Sequence, residues 1–458
     1  MNHGVSMLIE SISGIRGTVG DSLTPPVITE YAAAFAQWAG KGTIVLGRDS
    51  RVSGKVIADI FARTLQWMGL DVIDIGIVPT PTVQLLTEKW EARGGIAITA
   101  SHNPFPWNGI KFIDSTGLFL DAEQVTTVLN HKKAGNPAYK AAGEFGEYNK
   151  HQDAIALHVE NVLKIPYIDI ETIRARQFKV VVDAVNGGGS IALPTLLLAL
   201  GCEVIEINCV PDGHFPHTPE PLPENLTDLL KAVKKHKADI GLAVDPDADR
   251  LAVVDEKGNY LSEEYTLVMA TEVVLSQTKV KNPKVVTNLS TTLAVTNIAE
   301  QYGAECLRTA IGEINVAKKM KEVGAVIGGE GNGGIISPDS HLGRDSLVGA
   351  AMVLHFLAMD ERPMSEKFAA FPQYKMAKKK IDIGKNDPDA ILEALKKEFA
   401  HEDCNTVDGL KISRADRWVH LRKSNTEPIL RVYSEAPTAE AADELGEQFL
   451  NEIKKRMG

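Results

Sequence analysis

Cysteine is scarce in this chain, and its placement limits what the chain can be. Four thiols, Cys202, Cys209, Cys306 and Cys404, are spread over 458 residues. They are too few for a secreted disulfide framework, and their spacing fits no common zinc pattern. Buried or incidental thiols in a reducing cytoplasm are expected. No apolar run approaches the length of a membrane span. Met1 to Ser6 lacks the charged and apolar regions of a signal peptide, and Met7 is an equally good start; a cytoplasmic location is expected. The chain also lacks a basic excess: 49 Lys and Arg stand against 60 Asp and Glu, a net charge of -11. That balance excludes general binding to nucleic acid or to an anionic membrane. It leaves small phosphorylated ligands open, because a local basic pocket can sit in an acidic protein.

What is present is ordinary for a globular protein. Apolar residues make up 44% and charged residues 24%, which is enough for real cores, and the length implies about two to four domains. Up to about residue 370, short β-branched runs alternate with amphipathic helical ones. Strands are expected over Thr43–Gly47, Asp71–Ile75, Lys179–Asp183 and Lys284–Thr287, with helices over Ser53–Leu70, Ser190–Leu200 and Thr291–Tyr302. Three buried strands each deliver a polar loop. Gly95–Ile98 leads into Thr99-Ala100-Ser101-His102-Asn103, Ile240–Val244 into Asp245–Arg250, and Gly324–Gly328 into Gly329–Gly334. This echo predicts three related α/β units with mixed sheets, each aiming one loop at a shared cleft. After residue 371 the texture changes. Strands over Tyr374–Ile383, Thr406–Ile412, Trp418–Lys423 and Ile429–Ser434, with helices over Asp387–Phe399 and Thr438–Arg456, predict a small α+β domain. The predicted divisions are 1–150, 151–255, 256–370 and 371–458.

The chemistry gathers in those loops. Ser101 ends an apolar strand with His102 beside it, and a lone serine needs a base, a metal or a prior modification to react at neutral pH. Asp245, Asp247 and Asp249, at alternate positions of one loop, can converge hard oxygens on a magnesium ion. Such a site needs nearby cations. Arg250 is one; His102, Lys111 and Arg16 are the others expected. Lys111 is expected to have a lowered pKa in a partly desolvated cationic cleft, and Arg16, between Gly14 and Gly17, to ride a tight loop. Arg422, Ser424, Asn425, Thr426 and Arg431 offer guanidinium, hydroxyl and amide groups for a phosphate cradle. Glu330 and Asn332, in a glycine-rich loop, suit vicinal sugar hydroxyls.

Taken in order, Thr99–Pro104, Asp245–Arg250, Gly329–Gly334 and Arg422–Thr426 strongly resemble the motifs of the α-D-phosphohexomutase superfamily of phosphoglucomutases, phosphomannomutases and phosphoglucosamine mutases. The resemblance spans essentially the whole chain. It implies three α/β domains and a C-terminal α+β domain around a central cleft. It implies that Ser101 carries a phosphoryl group, that Asp245, Asp247 and Asp249 bind Mg2+ with it, and that Arg250, Lys111, Arg16 and His102 surround the reacting group. Glu330 and Asn332 would then hold the sugar, and Arg422, Ser424, Asn425, Thr426 and Arg431 the phosphate that does not react. The implied reaction interconverts hexose 6-phosphate and hexose 1-phosphate through a hexose 1,6-bisphosphate. The implied partner is a small-molecule hexose phosphate, and the expected state a monomer or homodimer. Two departures bear on the sugar. Glycine and asparagine follow Glu330 where bacterial relatives carry serine and histidine, and Glu313 stands where many carry histidine. An acid there favours a 2-ammonium group, hence glucosamine phosphate over glucose or mannose phosphate. A phosphatase using an aspartate nucleophile is the rival from another class, and a silent sugar-phosphate binder the second; the mid-chain position of the aspartates and the serine motif before them disfavour the first.

Overall fold

In the computed structural model, residues 8–12, 14–424 and 428–457 are described. They form four sheets in chain order. The first sheet has the order Ile9–Ser11, Gly14–Thr18, Trp107–Asp114, Gly94–Ile98, Thr43–Arg48, Asp71–Ile77, Tyr148–Lys150. The second runs Leu251–Asp255, Ile240–Val244, Lys179–Asp183, Glu203–Ile207, and the third Glu305–Thr309, Lys284–Asn288, Ile327–Glu330, Gly334–Ile336. The fourth is antiparallel throughout: Lys375–Asp382, Ile429–Ala436, Trp418–Lys423, Leu410–Ser413, Asp403–Asn405.

The three-fold echo of the sequence has a common topological form. Gly94–Ile98, Ile240–Val244 and Ile327–Glu330 each lie parallel to one neighbour and antiparallel to the next strand in the chain. Each chemical loop is therefore the turn of an antiparallel pair at the end of a buried strand. Such strand ends are where open α/β sheets present ligands.

Three expectations need correction. Gly324 to Val326 are not strand: Gly324 (φ 63) closes the helix Glu313–Val323 in the left-handed conformation, and the strand begins at Ile327. Arg16 is not on a tight loop but inside the strand Gly14–Thr18, opposite Gly109. Gly14 is there for close approach, since a Cβ would lie 2.1 Å from the Ile110 carbonyl oxygen. Of the expected Thr406–Ile412 strand only the part from Leu410 is strand, in Leu410–Ser413; its antiparallel partner Asp403–Asn405 precedes the expected range.

The second and third sheets share one hydrophobic core, reaching from Val159 to Phe371. Its axis is the helix Ser346–Ala358, apolar on every side apart from Ser346 and His355 and buried along its whole length. The first and last units have cores of their own, around Phe35 and Phe61 and around Leu395 and Phe449. The four cysteines are unpaired, and burial pushes Cys202 and Cys209 up to about 12. Among the described residues no helix is long and apolar enough to cross a membrane.

Candidate active site

The loop after Gly94–Ile98 is held in a strained shape from beneath. Ser101 has φ 49, a conformation costly for a residue with a Cβ. The constraint comes from Arg51, 2% exposed, whose guanidinium donates to the carbonyls of Ser101 and Asn103 (2.6 Å each) and of Pro104 and Trp107 (3.0 Å each). Asp49 neutralises it at 3.0 Å and also accepts from the Thr99 hydroxyl, which in turn accepts from the Ser101 N–H. The Ser101 side chain is thereby aimed at the second unit. Its hydroxyl donates to Asp245 Oδ2 at 2.9 Å and lies 3.2 Å from His102 Nδ1.

The aspartate loop is gripped from three sides. Thr80 of the first unit donates its N–H to the Asp247 carbonyl and its hydroxyl to Asp247 Oδ2 (2.8 Å). Gly188 N–H donates to the Pro246 carbonyl, and Ser346 of the third unit to that of Ala248. The three carboxylates are at most 1% exposed and offer oxygens all within 4.8 Å of one another. Two oxygens of these carboxylates, Asp247 Oδ1 and Asp249 Oδ1, are buried without a hydrogen-bond partner. Burial and then the neighbouring carboxylates push Asp245 well above the ordinary range. Burial would raise Asp247 too, but Lys111, at 2.6 Å, outweighs it and holds that carboxyl far below its usual value. Orphaned hard oxygens beside mutually repelling carboxylates fit a divalent cation.

Four expected cations sit around this loop. Lys111, 3% exposed, bridges Asp247 and Asp249 (2.6 and 3.5 Å). Its lowered pKa is not found: burial acts in that direction, but the two aspartates prevail and raise it. Arg250 Nε lies 3.7 Å from Asp249 Oδ1 and has no hydrogen-bond partner. Arg16 donates to Asn103 Oδ1 at 3.2 Å. His102 was expected as a fourth cation and is not one: burial, reinforced by Arg250 and Arg16, pushes it down to about 3, so its imidazole is neutral.

Opposite, Glu330 accepts from Asn288 (2.8 Å) and the Gly312 N–H (2.9 Å) through Oε1, and from Arg344 (2.9 Å) through Oε2. Asn332 lines the same cleft of about 930 Å³ with Glu313, Arg422, Ser424 and Arg431. Arg422 and Arg431 face each other across the last two strands before the C-terminal helix, and Arg422 pairs with Asp408 at 2.9 Å. Asp408 also accepts from the Ile311 N–H (3.0 Å), which links the cradle to the turn that precedes Glu313. Asn425 and Thr426 lie outside the described residues. Every other expected site residue reaches this one cleft or its floor. Sequence reasoning missed Arg51, Arg344 and Asp408. Arg51 and Arg344 each follow or precede an acid in a strand-to-helix turn, a faint signal beside the contiguous aspartate motif.

A buried hydroxyl set against three carboxylates, on the floor of a cleft rimmed by guanidinium groups, is a layout for moving phosphoryl groups. Comparison with known proteins makes the class specific. The four models of the phosphoglucomutase/phosphomannomutase family match in order: alpha/beta/alpha domains I, II and III at residues 9–137, 156–258 and 262–374, and the C-terminal domain at 373–452. The chain belongs to this family, whose members are phosphohexomutases, isomerases that move phosphate within a sugar phosphate. It is 38% identical to a Thermococcus kodakarensis protein named phosphoglucomutase/phosphomannomutase (96% of this chain, 98% of the relative). It is 36% identical to a probable phosphoglucosamine mutase of Methanopyrus kandleri (97% of each). A crystal structure of a phosphoglucomutase/phosphomannomutase family protein from Burkholderia thailandensis superposes with a TM-score of 0.85 at 28% identity, covering 98% of both chains. A phosphatase finds no support among these relatives.

Proposed function

We propose that the chain interconverts hexose 6-phosphate and hexose 1-phosphate, with glucosamine phosphate as the favoured sugar, and that Ser101 carries the phosphoryl group between turnovers. The observation that carries this is the 2.9 Å contact of Ser101 Oγ with Asp245, which joins the serine loop and the acidic loop in one site. Segments 1–150, 151–255, 256–370 and 371–458 would supply the phosphoserine loop, the metal loop, the sugar loop and the phosphate cradle in turn. Asp245, Asp247 and Asp249 would hold Mg2+ together with the Ser101 phosphate. A bound Mg2+ supplies positive charge to the transferring group.

The protein groups do the rest. When phospho-Ser101 gives its phosphoryl group to a sugar hydroxyl, the P–Oγ bond breaks, a bond to the sugar oxygen forms, and the hydroxyl proton must leave. The sugar hydroxyl loses its proton as the Ser101 Oγ leaving group gains one, and His102, 3.2 Å from Oγ, adjoins that path. Lys111, Arg16 and Arg250 are fixed cations for charge on the equatorial oxygens, since Lys111 is held protonated. Glu330 and Asn332 would orient the ring. Arg422, Ser424 and Arg431, with Asn425 and Thr426, would grip the other phosphate. The bisphosphate then turns over and returns its second phosphoryl group to Ser101. The sugar preference rests on Glu313 and Glu330, two buried carboxyl groups that share one arginine and would accept from a 2-ammonium group. We infer a cytoplasmic enzyme of small molecules, in line with its phosphohexomutase relatives.

Ser101→Ala is expected to abolish turnover of glucosamine 6-phosphate, glucose 1-phosphate and mannose 1-phosphate alike, with the circular dichroism of the folded protein retained. Parallel assays of the wild type on these three sugars rank the preference; equal kcat/KM for all three would remove the role given to Glu313.

A further inference from the structure

The turn Gly343–Asp345, just before the buried helix Ser346–Ala358, is fixed more firmly than a loop requires. Asp345 Oδ1 caps the helix, accepting from Leu347 N–H (2.8 Å) and Val348 N–H (3.3 Å). Its Oδ2 takes His158 Nε2 at 2.7 Å and His341 Nε2 at 3.1 Å. Two histidines and an aspartate invite a metal reading, but Gly343 N–H donates to His341 Nδ1 at 3.0 Å. That places the His341 proton on Nε2, facing Asp345, and leaves no lone pair there for a metal. The cluster is a brace, and what it braces is the neighbouring residue, Arg344.

Arg344 sends each guanidinium nitrogen to a different buried carboxylate. Nη2 donates to Asp249 Oδ2 at 2.6 Å, Nη1 to Glu330 Oε2 at 2.9 Å, and Nε to Glu313 Oε2 at 3.0 Å. Glu313 is anchored in turn by Gln84 of the first unit at 2.9 Å. Asp249 belongs to the acidic loop, where its other oxygen is the orphaned one; Glu330 belongs to the sugar loop. A guanidinium is a rigid planar fork, so fixing one of its arms fixes the direction of the others. A lysine ammonium has no such fork.

We propose that Arg344 is a positioning residue that sets Asp249 for the cation and Glu330 for the sugar through one planar group, so that the metal loop and the sugar loop keep a common register. This rests on the metal and sugar assignments above. The test uses full-length, dephosphorylated protein without sugar, with Mn2+ as the probe followed by electron paramagnetic resonance, and separately the KM for glucosamine 6-phosphate. Arg344→Met is expected to raise the Mn2+ Kd at least about tenfold, the scale of losing an outer-shell partner, and to raise KM as well. Arg344→Lys, which keeps the charge but not the fork, is expected to recover at most one of the two. An unchanged Mn2+ Kd in folded Arg344→Met, a change in only one of the two values, or full recovery of both by Arg344→Lys overturns the proposal. Should Arg344→Met fail to fold, Arg344→Lys decides alone: wild-type values for both sink it, and a raised value of either upholds it. A wild-type protein that binds no Mn2+ defeats the metal assignment itself, whereas a normal wild type with an unaffected Arg344→Met defeats only the role of Arg344.

Discussion

His102 stands beside the hydroxyl at the centre of the site, yet its surroundings forbid it a positive charge. Burial and the facing Arg250 and Arg16 set its pKa at about 3, against about 6.5 in an unfolded chain. The folded protein therefore binds fewer protons here than the unfolded chain below pH 6.5. Stability from this residue is intact above that pH and falls as pH drops toward 3. Urea midpoints at pH 7.5 and 5.5 should show a larger loss for the wild type than for His102→Asn; an equal loss would place the imidazole elsewhere. At this scale the sequence was partly readable. Ser101 and the three aspartates announce themselves because contiguous motifs carry them. Arg51 and Arg344 do not, because a single charged residue shows its purpose only when the fold brings distant carbonyls or carboxylates to it. The state of Lys111 was misjudged for the same reason: desolvation follows from an apolar strand, but Asp247 and Asp249, more than 130 residues on, decide the sign.

The elements that matter most are the turns. Each of the three chemical loops joins an antiparallel pair at the end of a buried strand, and neighbouring elements set its position. The aspartate loop leans on the Gly187–Gly188 turn so closely that a Cβ on Gly187 would lie 2.7 Å from Pro246 Cα. Backbone cannot yield as a side-chain tip can, so Gly187→Ala must displace the loop. A loss of about 1–3 kcal/mol is expected from overpacking, with weakened Mg2+ dependence of kcat; an unaltered magnesium titration would show that the loop tolerates the shift. Strand periodicity and turn residues made most elements legible, including Lys179–Asp183 and Trp418–Lys423 to the residue. Misplacements fell where glycine has two meanings. Gly324 ends a helix rather than opening a strand, and Gly14 and Gly17 lie within a strand whose neighbours approach closely rather than around a loop.

For the whole molecule, charge separation is the organising fact. A chain of net charge -11 lines its cleft with eight lysines and arginines against five glutamates. An anionic substrate is repelled by the protein at large and drawn in by the rim. Within a Debye length of about 10 Å at 0.1 M salt the rim prevails. With Mg2+ saturating, kcat/KM is expected to fall several-fold between low and moderate ionic strength; a rise would mean that the acidic exterior governs approach. The measurement that bears most directly on the account follows the phosphoryl group itself. Dephosphorylated protein is loaded from a hexose 1,6-bisphosphate carrying a labelled phosphate, mapped by mass spectrometry, and chased with unlabelled glucosamine 6-phosphate. The account predicts label on the peptide containing Ser101, then its transfer to sugar bisphosphate at a rate matching kcat. Label on another residue, or full turnover by protein that carries no phosphate and is given no bisphosphate, would contradict it.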